Sequence, residues 1–535
     1  MTPGQRHHLR PNATARPLLN HWIVWDMLVP PAQAALIIAK RHLPTMQSYI
    51  DAPQHHAKAA MTPGLLGGPW IDYETPKVDE IRALLAQTRQ QQAHMIELAS
   101  AIAALDDLLR KKAKGDSLES LYAEVPPPLR GYVELVYDLN HHPALRLLEG
   151  LLYRSRYYDR SLQHFSFGIV DRDFLPYERS TPVLEDGQQV FASLPWNDRR
   201  LDDLFACEYV PVRIEEMQER LGLETRHHAR FRELFTSSPA PQRHTRPESG
   251  MRIRYFGHAC LLIESRDVSI LTDPFISYEY PNNLPRYTLC DLPEKIDYVV
   301  ITHGHGDHIR PETLLRLRHR VETVVVPHCA GRRLQDPSLR LMLKAMGFES
   351  VIELHEMESI RLPGGAITAL PFLGEHSDLD IQGKSGYHVS LHGRSAACLA
   401  DACNLEPTLY RHVVEHLGPV DALFLGMECE GSPLSWGYGH LLTQGIDRKF
   451  DQARRDRGSN ATEANGLVDT LRPSQAYVYA VGQEPWLNHV LAIDQTGAHP
   501  GVKQSAAFID RCRSQDITSE RLFGQKELHL PSKTA

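Results

Sequence analysis

The residues that most constrain this chain are a run of six, 303–308, with the sequence HGHGDH. The run directly follows residues 296–302 (IDYVVIT), whose apolar and β-branched composition predicts a buried strand. Histidine is the commonest metal ligand, and glycines at alternate positions let the backbone bend so that neighbouring imidazoles face one point. The first two histidines can bind one metal, and the Asp-His pair can bind a second. Because α/β folds place their sites at strand ends, the run predicts a two-metal site.

A chance cluster of surface histidines is the alternative interpretation of this run, since the chain contains 29 histidines. A surface cluster would not need to follow a buried strand. Other candidate ligands also fall at strand ends, as described below, so the metal site is the favoured interpretation.

The chain divides near residue 245. Residues 236–250 (TSSPAPQRHTRPESG) are polar and rich in Pro, Ser and Gly, which is typical of a linker. After the linker, alternating strands and helices predict a layered α/β domain over residues 251–535. The predicted strands are 251–256, 259–265, 269–272, 296–302, 321–326, 395–400, 421–426 and 475–480, with helices at about 311–318, 339–346, 408–417 and 462–471.

Residues 1–245 are predicted to form a separate, mixed α/β accessory domain. Apolar residues at helical spacing predict a long helical segment from about 75 to 115, with a break near 90–92, and a second helix from about Pro143 to Tyr158. Strand and loop patterns follow between Phe165 and Phe191. This half contains no sequence repeat and no catalytic motif, which favours a supporting role.

Composition and charge argue against several classes of protein. The formal net charge of −8 and the sequence pI of about 6.4 disfavour a nucleic-acid or anionic-membrane partner. The sequence has no run of 18 apolar residues for a membrane span and no apolar signal peptide at its N-terminus. The eight cysteines are scattered without a C-x-x-C pair. We therefore expect reduced thiols and a cytoplasmic location.

Further candidate ligands follow later strands of the same domain. They are Glu375 and His376, then Asp401, then His489. This order, H-x-H-x-D-H, a ligand after a strand, a strand-ending Asp and a late His, resembles the metallo-β-lactamase superfamily between residues 251 and 489. The resemblance implies an α/β fold, an αββα metallo-β-lactamase sandwich, preceded by the mixed α/β N-terminal accessory domain.

The residue after Gly374 departs from the superfamily pattern. The usual third ligand is the histidine of a Gly-His pair, whereas Glu375 follows Gly374 here. With Glu375 in that place, the resemblance implies one metal on His303, His305 and Glu375, a second on Asp307, His308 and His489, and Asp401 bridging them. Such a carboxylate-rich set suits iron or manganese, and its negative charge stabilises an oxidised metal. Alternatively, His376 is the ligand and the site holds two zinc ions; spacing alone does not decide.

A more specific resemblance comes from three features together. These are Gly374-Glu375-His376, the acid-rich loop 427–430 and the N-terminal extension of roughly 245 residues. They are similar to the di-iron β-hydroxylase family of chloramphenicol biosynthesis.

The resemblance implies an O2-dependent monooxygenase with two Fe ions, an external electron donor, and Glu375 and Asp401 in catalytic positions. The substrate it implies is an amino acid, an aromatic one such as p-aminophenylalanine, tethered as a thioester to a carrier domain of a nonribosomal peptide synthetase and hydroxylated at its β-carbon. The resemblance also implies a homodimer whose N-terminal domain covers the metal site.

Two functions of other classes stay open. A dizinc hydrolase of an ester, thioester, lactone or phosphodiester would use a metal-bound hydroxide and no reductant. A non-catalytic carrier-domain scaffold with a decayed site is the second, and the complete ligand set argues against it.

Several residues near the motif have additional predicted roles. Asp273 ends a predicted strand and is the best candidate to orient a ligating histidine, with a structural turn cap as the alternative. His258 is interpreted as a structural turn residue. One of Glu428 and Glu430 could face the site from the loop after a strand, and a solvated loop is the alternative.

Two further groups could contact the substrate or the carrier. Trp436 and Tyr438 could line an aromatic pocket, although core packing is the default for such residues. An acidic carrier domain would need a local basic patch, and a solvated helix face is the alternative interpretation of the candidate patch. The candidate consists of the arginines just past the motif: Arg310, Arg316, Arg318 and Arg320.

Overall fold

The computed structural model describes residues 5–175, 177–492 and 499–533. The N-terminal region precedes Met251 and mixes short strands with helices. Its strands are β1 (Arg6–Leu9), β2 (Ala13–Leu19), β3 (Trp22–Ile23), β4 (Val133–Tyr137), β5 (Pro143–Leu147), β6 (Gln163–Ile169), β7 (Val190–Ala192), β8 (Val212–Arg213) and β9 (Phe235–Thr236). Its helices are α1 (Pro31–Ile37), α2 (Leu43–Asp51), α3 (Pro53–Ala60), α4 (Val78–Gln91), α5 (Ala93–Lys112), α6 (Glu149–Leu152), α7 (Arg200–Ala206), α8 (Ile214–Leu221) and α9 (His228–Arg232).

The remainder of the chain, from Met251 onward, is a sandwich of strands and helices. Its strands are β10 (Met251–Gly257), β11 (Cys260–Glu264), β12 (Ser269–Thr272), β13 (Ile296–Val300), β14 (Val321–Pro327), β15 (Val351–Leu354), β16 (Ser359–Leu362), β17 (Gly365–Leu370), β18 (Gly386–Leu391), β19 (Arg394–Cys398), β20 (Ala422–Gly426), β21 (Gln475–Tyr479), β22 (Thr518–Arg521) and β23 (Lys526–Leu530). Its helices are α10 (Pro311–Leu317), α11 (Leu339–Ala345), α12 (Thr408–Leu417), α13 (Leu434–Tyr438), α14 (Arg448–Ala453), α15 (Ala461–Leu471), α16 (Asn488–Leu491) and α17 (Pro500–Ser514).

Two seven-stranded sheets form the centre of the sandwich. The first has the order β15-β14-β13-β12-β11-β10-β23, and the second has the order β16-β17-β18-β19-β20-β21-β22. Side chains alternate between the faces of each strand. In β13, Val300 therefore joins the core between the sheets, whereas Val299 joins the core on the outer face.

Helices cover both outer faces of the sheet pair. Residues of α12, α15 and α17 share one apolar core with the second sheet. Residues of α10 and α11 share another core with the first sheet and with the N-terminal region. This layering is the predicted αββα arrangement, and it brings the carboxyl ends of several strands to one edge.

The N-terminal region packs directly against the sandwich. Its main sheet has the order β3-β2-β6-β7, and α10 of the sandwich contacts β2 and α7. A π-helical turn, Ile38–His42, joins α1 to α2. The two parts therefore share one continuous apolar core.

The helix predicted from Pro143 to Tyr158 is wrong. Residues Pro143–Leu147 form β5, which pairs antiparallel with β4, and only Glu149–Leu152 are helical. The apolar residues fit a helical spacing, but cross-strand pairing with β4 provides partners that local spacing cannot reveal.

The proposed basic patch is also absent from the surface. Three of the four arginines are buried, and Arg320 is half-buried. Arg310, Arg316 and Arg318 pair with Glu178, Glu208 and Asp202 of the N-terminal region. Since buried charges need partners, these side chains join the two parts and do not form an open docking surface.

No helix within the described ranges is long and apolar enough to cross a membrane.

Glu178→Gln should destabilise the folded protein, because Arg310 would keep a buried positive charge without its anionic partner. The free energy of unfolding at pH 7 should fall by about 3 kcal/mol. Burial opposes ionisation of Glu178, but Arg310 outweighs burial and lowers the pKa of this carboxyl to about 2. The contribution is therefore complete above the ordinary pKa of 4.5 and is lost as the pH falls towards 2. Urea unfolding of both proteins across this pH range measures the effect.

Glu349→Gln is the matched control. Glu349 pairs with Arg199 at 2.6 Å, but its side chain is 87% exposed. An exposed pair contributes less than about 1 kcal/mol, so this variant should unfold almost like the parent. Equal losses in the two variants would contradict a structural role for the buried pair.

Candidate metal centre

The candidate ligands lie in loops at one edge of the sandwich. The loop after β13 carries His303, His305, Asp307 and His308, the loop after β17 carries Glu375, and the loop after β19 carries Asp401. The turn between β10 and β11 adds His258. These loops come from both sheets, so the cluster lies where the sandwich opens.

One group consists of His303, His305 and Glu375, whose donor atoms lie within 4.8 Å of one another. Oε1 of Glu375 is 2.5 Å from Nδ1 of His305, and Oε2 is 3.3 Å from Nε2 of His303. The structure thus brings together the three residues that the sequence predicts for the first metal.

A second group surrounds His308. Asp401 Oδ2 is 2.8 Å from Nε2 of His308 and 3.8 Å from Nε2 of His303, so this carboxylate lies between the two groups. Asp307 Oδ2 is 3.6 Å from Nε2 of His308 and 3.0 Å from Nε2 of His258. His258, Asp307 and His308 form a set of donor atoms within 4.8 Å of one another.

His489 does not lie in this cluster, in contrast to the sequence prediction. Its Nε2 is 3.4 Å from an Nη of Arg310 and 3.8 Å from Glu178 Oε2. Burial, together with the Arg310 charge, lowers the pKa of His489 to about 4 although Glu178 opposes this. His489 therefore lies at the interface between the N-terminal region and the sandwich, beside the ion pair of Glu178 and Arg310. The histidine beside Asp307 is His258.

His258, interpreted from the sequence as a turn residue, lies in a turn and also contacts the cluster. It follows Gly257 in the tight turn after β10, with a φ of 50°, and its imidazole contacts Asp307. Gly257 has a φ of 113°, and a Cβ there would lie 2.8 Å from the Trp486 ring. In the sequence, the pair Gly257-His258 indicated the turn, but spacing did not show that the imidazole of His258 faces the cluster.

The donor set fits metal ions. Buried atoms of the cluster that make no hydrogen bond to a described residue include Nε2 of His303, Nε2 of His308, Oε2 of Glu375 and Oδ1 of Asp401. A buried polar atom without a partner is costly, and such atoms are rare in folded proteins. Metal ions held between these side chains would satisfy them.

Negative charge accumulates around the same point. Loss of water, together with the charges of Asp401 and Asp307, raises the pKa of Glu428 well above its usual range. Burial also raises the pKa of Asp456 to about 6, and Glu375 adds to this effect. Cations bound at the cluster would relieve this repulsion. Glu428 also lines the cavity beside the cluster. It therefore faces the site, which agrees with the prediction that an acid of this loop does so and not with a solvated loop.

Asp273 supports the cluster from behind. Its Oδ2 accepts from Nδ1–H of His308 at 2.8 Å, and its Oδ1 accepts from the backbone N–H of Thr302 at 2.7 Å. With Nδ1 protonated, Nε2 of His308 presents its lone pair to the cluster. Asp273 is fully buried, so it orients this histidine as predicted.

His376 lies beside the first group. Its Nε2 is 3.3 Å from Oε2 of Glu375, and its Nδ1 is 2.7 Å from the hydroxyl of Tyr438. The same hydroxyl is 2.8 Å from Nε2 of His305. Tyr438 therefore links the two imidazoles, and Glu375 has the closer contacts with the ligand histidines.

Several residues in and next to the cluster have a strained backbone. His258, Asp273, Glu375 and Ala400 all have a positive φ, between 33° and 51°. Such conformations cost about 1–3 kcal/mol each for residues other than glycine, and they persist where the surrounding structure enforces them. These conformations therefore lower the stability of the fold, and they direct the side chains into the site.

A cavity of about 510 Å³ opens beside the cluster, and we refer to it as the metal cavity. Both parts of the protein contribute to its wall. The N-terminal region provides Trp25, Asp26, Met27, Tyr177 and Arg179. Trp436 and Tyr438 also line it, in agreement with the predicted aromatic lining. The N-terminal region thus covers the metal site.

Comparisons with known proteins agree with this geometry. A model of the diiron non-heme β-hydroxylase N-terminal domain matches residues 8–239, and a model of the β-lactamase superfamily domain matches residues 269–446. The chain is 37% identical over 532 residues to 4-amino-L-phenylalanyl-[CmlP-peptidyl-carrier-protein] 3-hydroxylase of Streptomyces venezuelae. This match covers 98% of the chain and 100% of the relative. The chain belongs to the di-iron β-hydroxylase family.

Solved structures give the same result for the fold of this β-hydroxylase. The crystal structure of CmlA, a diiron β-hydroxylase from Streptomyces venezuelae, matches with a TM-score of 0.92 and 36% identity over 98% of this chain and 99% of that chain. A CmlA variant matches with a TM-score of 0.91 and 36% identity over 98% and 100% of the two chains. The predicted family and fold are confirmed, and the family membership favours the hydroxylase over the dizinc hydrolase.

Glu375→Ala should lower the iron content from two ions per chain to one, because Glu375 supplies the carboxylate of the first group. His376→Ala should keep both ions, because its imidazole lies beside that group. Elemental analysis of both variants, purified from iron-rich medium, measures the metal content. If the effects are reversed, His376 is the ligand and Glu375 only supports it.

His258→Ala should also lose iron, since its imidazole is the third donor beside Asp307 and His308. His489→Ala should retain two irons per chain. The same elemental analysis, with the melting temperature as a check on folding, separates the two. Loss of iron only in the His489 variant would mean that this side chain leaves Arg310 when metal binds.

Proposed function

We propose that this protein hydroxylates the β-carbon of an amino acid held as a thioester on a carrier domain of a nonribosomal peptide synthetase. The reaction uses two iron ions, O2 and electrons from an external donor. Support comes from the full-length similarity to a hydroxylase whose name specifies a carrier-bound amino acid and from the carboxylate-rich cluster.

The position of Glu375 carries this proposal. A carboxylate occupies the place where the superfamily commonly has histidine, and its two oxygens lie against His305 and His303. Carboxylate donors suit iron and stabilise its oxidised states. A hydrolytic zinc pair has no need for this added negative charge.

The distances between donor atoms support a proposed ligand set. His303, His305 and Glu375 would hold one iron, and Asp307, His308 and His258 would hold the other, with Asp401 close to both groups. The contacts of Asp401 with both His303 and His308 support a bridging position. Asp401 and Glu375 would then be the catalytic carboxylates, since both would contact the metal ions that supply the oxidation chemistry.

A bound di-iron pair would supply the reduction of O2 and the insertion of one oxygen atom into the Cβ–H bond. The second oxygen leaves as water, and the donor provides two electrons with two protons from solvent. The protein positions the ligands through Asp273 and Tyr438. The N-terminal region covers the metal cavity with Trp25 and Tyr177 and so limits the access of water.

We propose an aromatic amino acid as the substrate side chain. The relative acts on a 4-amino-L-phenylalanyl group. The metal cavity has Trp25, Tyr177, Trp436 and Tyr438 in its wall, and these flat surfaces suit an aromatic ring.

We also propose that residues 1–245 act as an accessory domain that covers the site and forms a homodimer, and that residues 251–535 are the catalytic domain. Exposed apolar side chains on the N-terminal region, such as Leu139 and Val210, support a contact with a second copy. Light scattering of the purified protein measures this oligomeric state.

Intact-mass analysis tests the proposed reaction. Iron-loaded, chemically reduced protein and O2 should add one oxygen atom to an amino acid on a loaded carrier domain, and should act poorly on the free amino acid. Glu375→Gln should abolish the oxygen gain. Glu430→Gln, an exposed acid on the loop after β20, should retain it. Thioester cleavage without oxygen gain would instead indicate the hydrolase, and faster reaction of the free amino acid would exclude the carrier-bound substrate.

A further inference from the structure

A second cavity adjoins the metal cavity on the side away from the cluster. This outer cavity has a volume of about 380 Å³ and lies between the N-terminal region and the loop around α13. The two cavities share three wall residues: Arg41, Gly67 and Trp436. The two cavities therefore adjoin at these residues, and none of the described cluster residues lines the outer cavity.

The junction between the cavities is narrow. Gly67 has a φ of 76°, and a Cβ there would lie 3.3 Å from the Cβ of Ala492 and 3.7 Å from the Trp436 ring. A side chain at position 67 would therefore crowd the junction. The opening suits a thin, flexible chain better than a folded peptide.

The two cavities differ in charge. The wall of the outer cavity contains Lys40 and Arg41, and none of its described residues is a carboxylate. The described wall of the metal cavity contains six carboxylates and three arginines. Three of these carboxylates, Asp307, Glu375 and Asp401, are proposed metal ligands. A ligand that reaches into the outer cavity would carry negative charge there.

The two cations of the outer cavity lack anionic partners. Within the described ranges, neither Lys40 nor Arg41 has a carboxylate oxygen within 4 Å. Lys40 Nζ donates to the carbonyl of Leu442 at 2.8 Å, which leaves its other protons available. The carboxylate of Asp106, which acts on Lys40 electrostatically, is engaged by Arg110 at 3.0 Å.

A further polar group of this wall is His440. Its side chain is buried, and its Nε2 has no hydrogen-bond partner among the described residues. Burial and the charges of Arg41 and Lys40 lower the pKa of His440 to about 3, so the ring is neutral at physiological pH. A neutral imidazole can donate one hydrogen bond to an anion in this cavity. Nε of Arg41 is also buried without a partner.

The backbone around the cations is unusual. Lys40 and Arg41 lie in the π-helical turn Ile38–His42 that joins α1 to α2. Such turns are rare and are frequent at functional sites.

We propose that Lys40, Arg41 and His440 bind the phosphodiester of a phosphopantetheine arm that passes over Gly67 and Trp436 to the metal cavity. This assignment rests on the proposed function, because such an arm carries amino acids on carrier domains. The arm is thin, has a phosphodiester at one end, and presents the α-ammonium of its amino acid at the other. The negative charge of its phosphodiester therefore matches the cations of the outer cavity. Arg and Lys are the usual cationic partners of phosphate.

Binding without turnover tests the assignment. The probes are two aminoacyl-pantetheine amides, in which an amide replaces the thioester; one carries a methyl phosphodiester at the pantetheine end, and the other ends in the free hydroxyl. Calorimetry is done without O2 on the iron-loaded protein. The parent protein should bind the phosphodiester probe at least about tenfold more tightly, as expected for hydrogen bonds to a charged group.

Lys40→Met combined with Arg41→Gln should reduce this preference to about one. Each single variant should reduce it in part, which keeps the test valid if the double variant folds poorly. The control, Arg82→Gln, removes one positive charge from an exposed pair on α4 and should retain the full preference.

Two results would overturn the assignment. One is a parent protein that binds both probes equally, and the other is a double variant that keeps the full preference. In either case, hydroxylation of the loaded carrier by the parent would leave the proposed function intact. If neither probe binds and the carrier is not hydroxylated, both the assignment and the proposed function fail.

Discussion

The concentration of buried ionisable groups at one edge of the sandwich is the constraint on which the rest of the structure depends. Histidines and carboxylates from both sheets converge there, and several of their donor atoms have no partner among the described residues. Such an arrangement is unfavourable unless cations balance it. The strained loops, the orienting contact from Asp273 and the covering N-terminal region all serve to hold these groups together.

The sequence predicted the part of this site that depends on local spacing. The run 303–308 follows a buried strand, and Asp273 and Asp401 end strands of their own, so each position could be read from the neighbouring residues. Glu375 was recognised by its departure from a superfamily pattern. In these cases the apolar pattern of a strand shows where the strand ends. Residues that follow it lie at the edge of the sheet, where α/β folds place their sites.

The positions of the remaining residues depend on contacts between parts of the chain that are distant in sequence. His489, predicted as a metal ligand, lies beside the ion pair of Arg310 with Glu178, and His258 contacts Asp307. The arginines after the motif have the composition of a surface patch, yet their partners come from a region more than 100 residues earlier. The strand at Pro143–Leu147 likewise depends on pairing with β4. No local pattern contains this information.

The buried ion pairs between the N-terminal region and the sandwich have a consequence for how substrates enter. Separating the two parts would expose the apolar core they share and leave three buried arginines without their carboxylate partners, so opening this interface is costly. Under the proposed function, a carrier-bound amino acid would reach the site while this interface stays closed. The length and width of the arm that carries the amino acid would then limit which substrates enter.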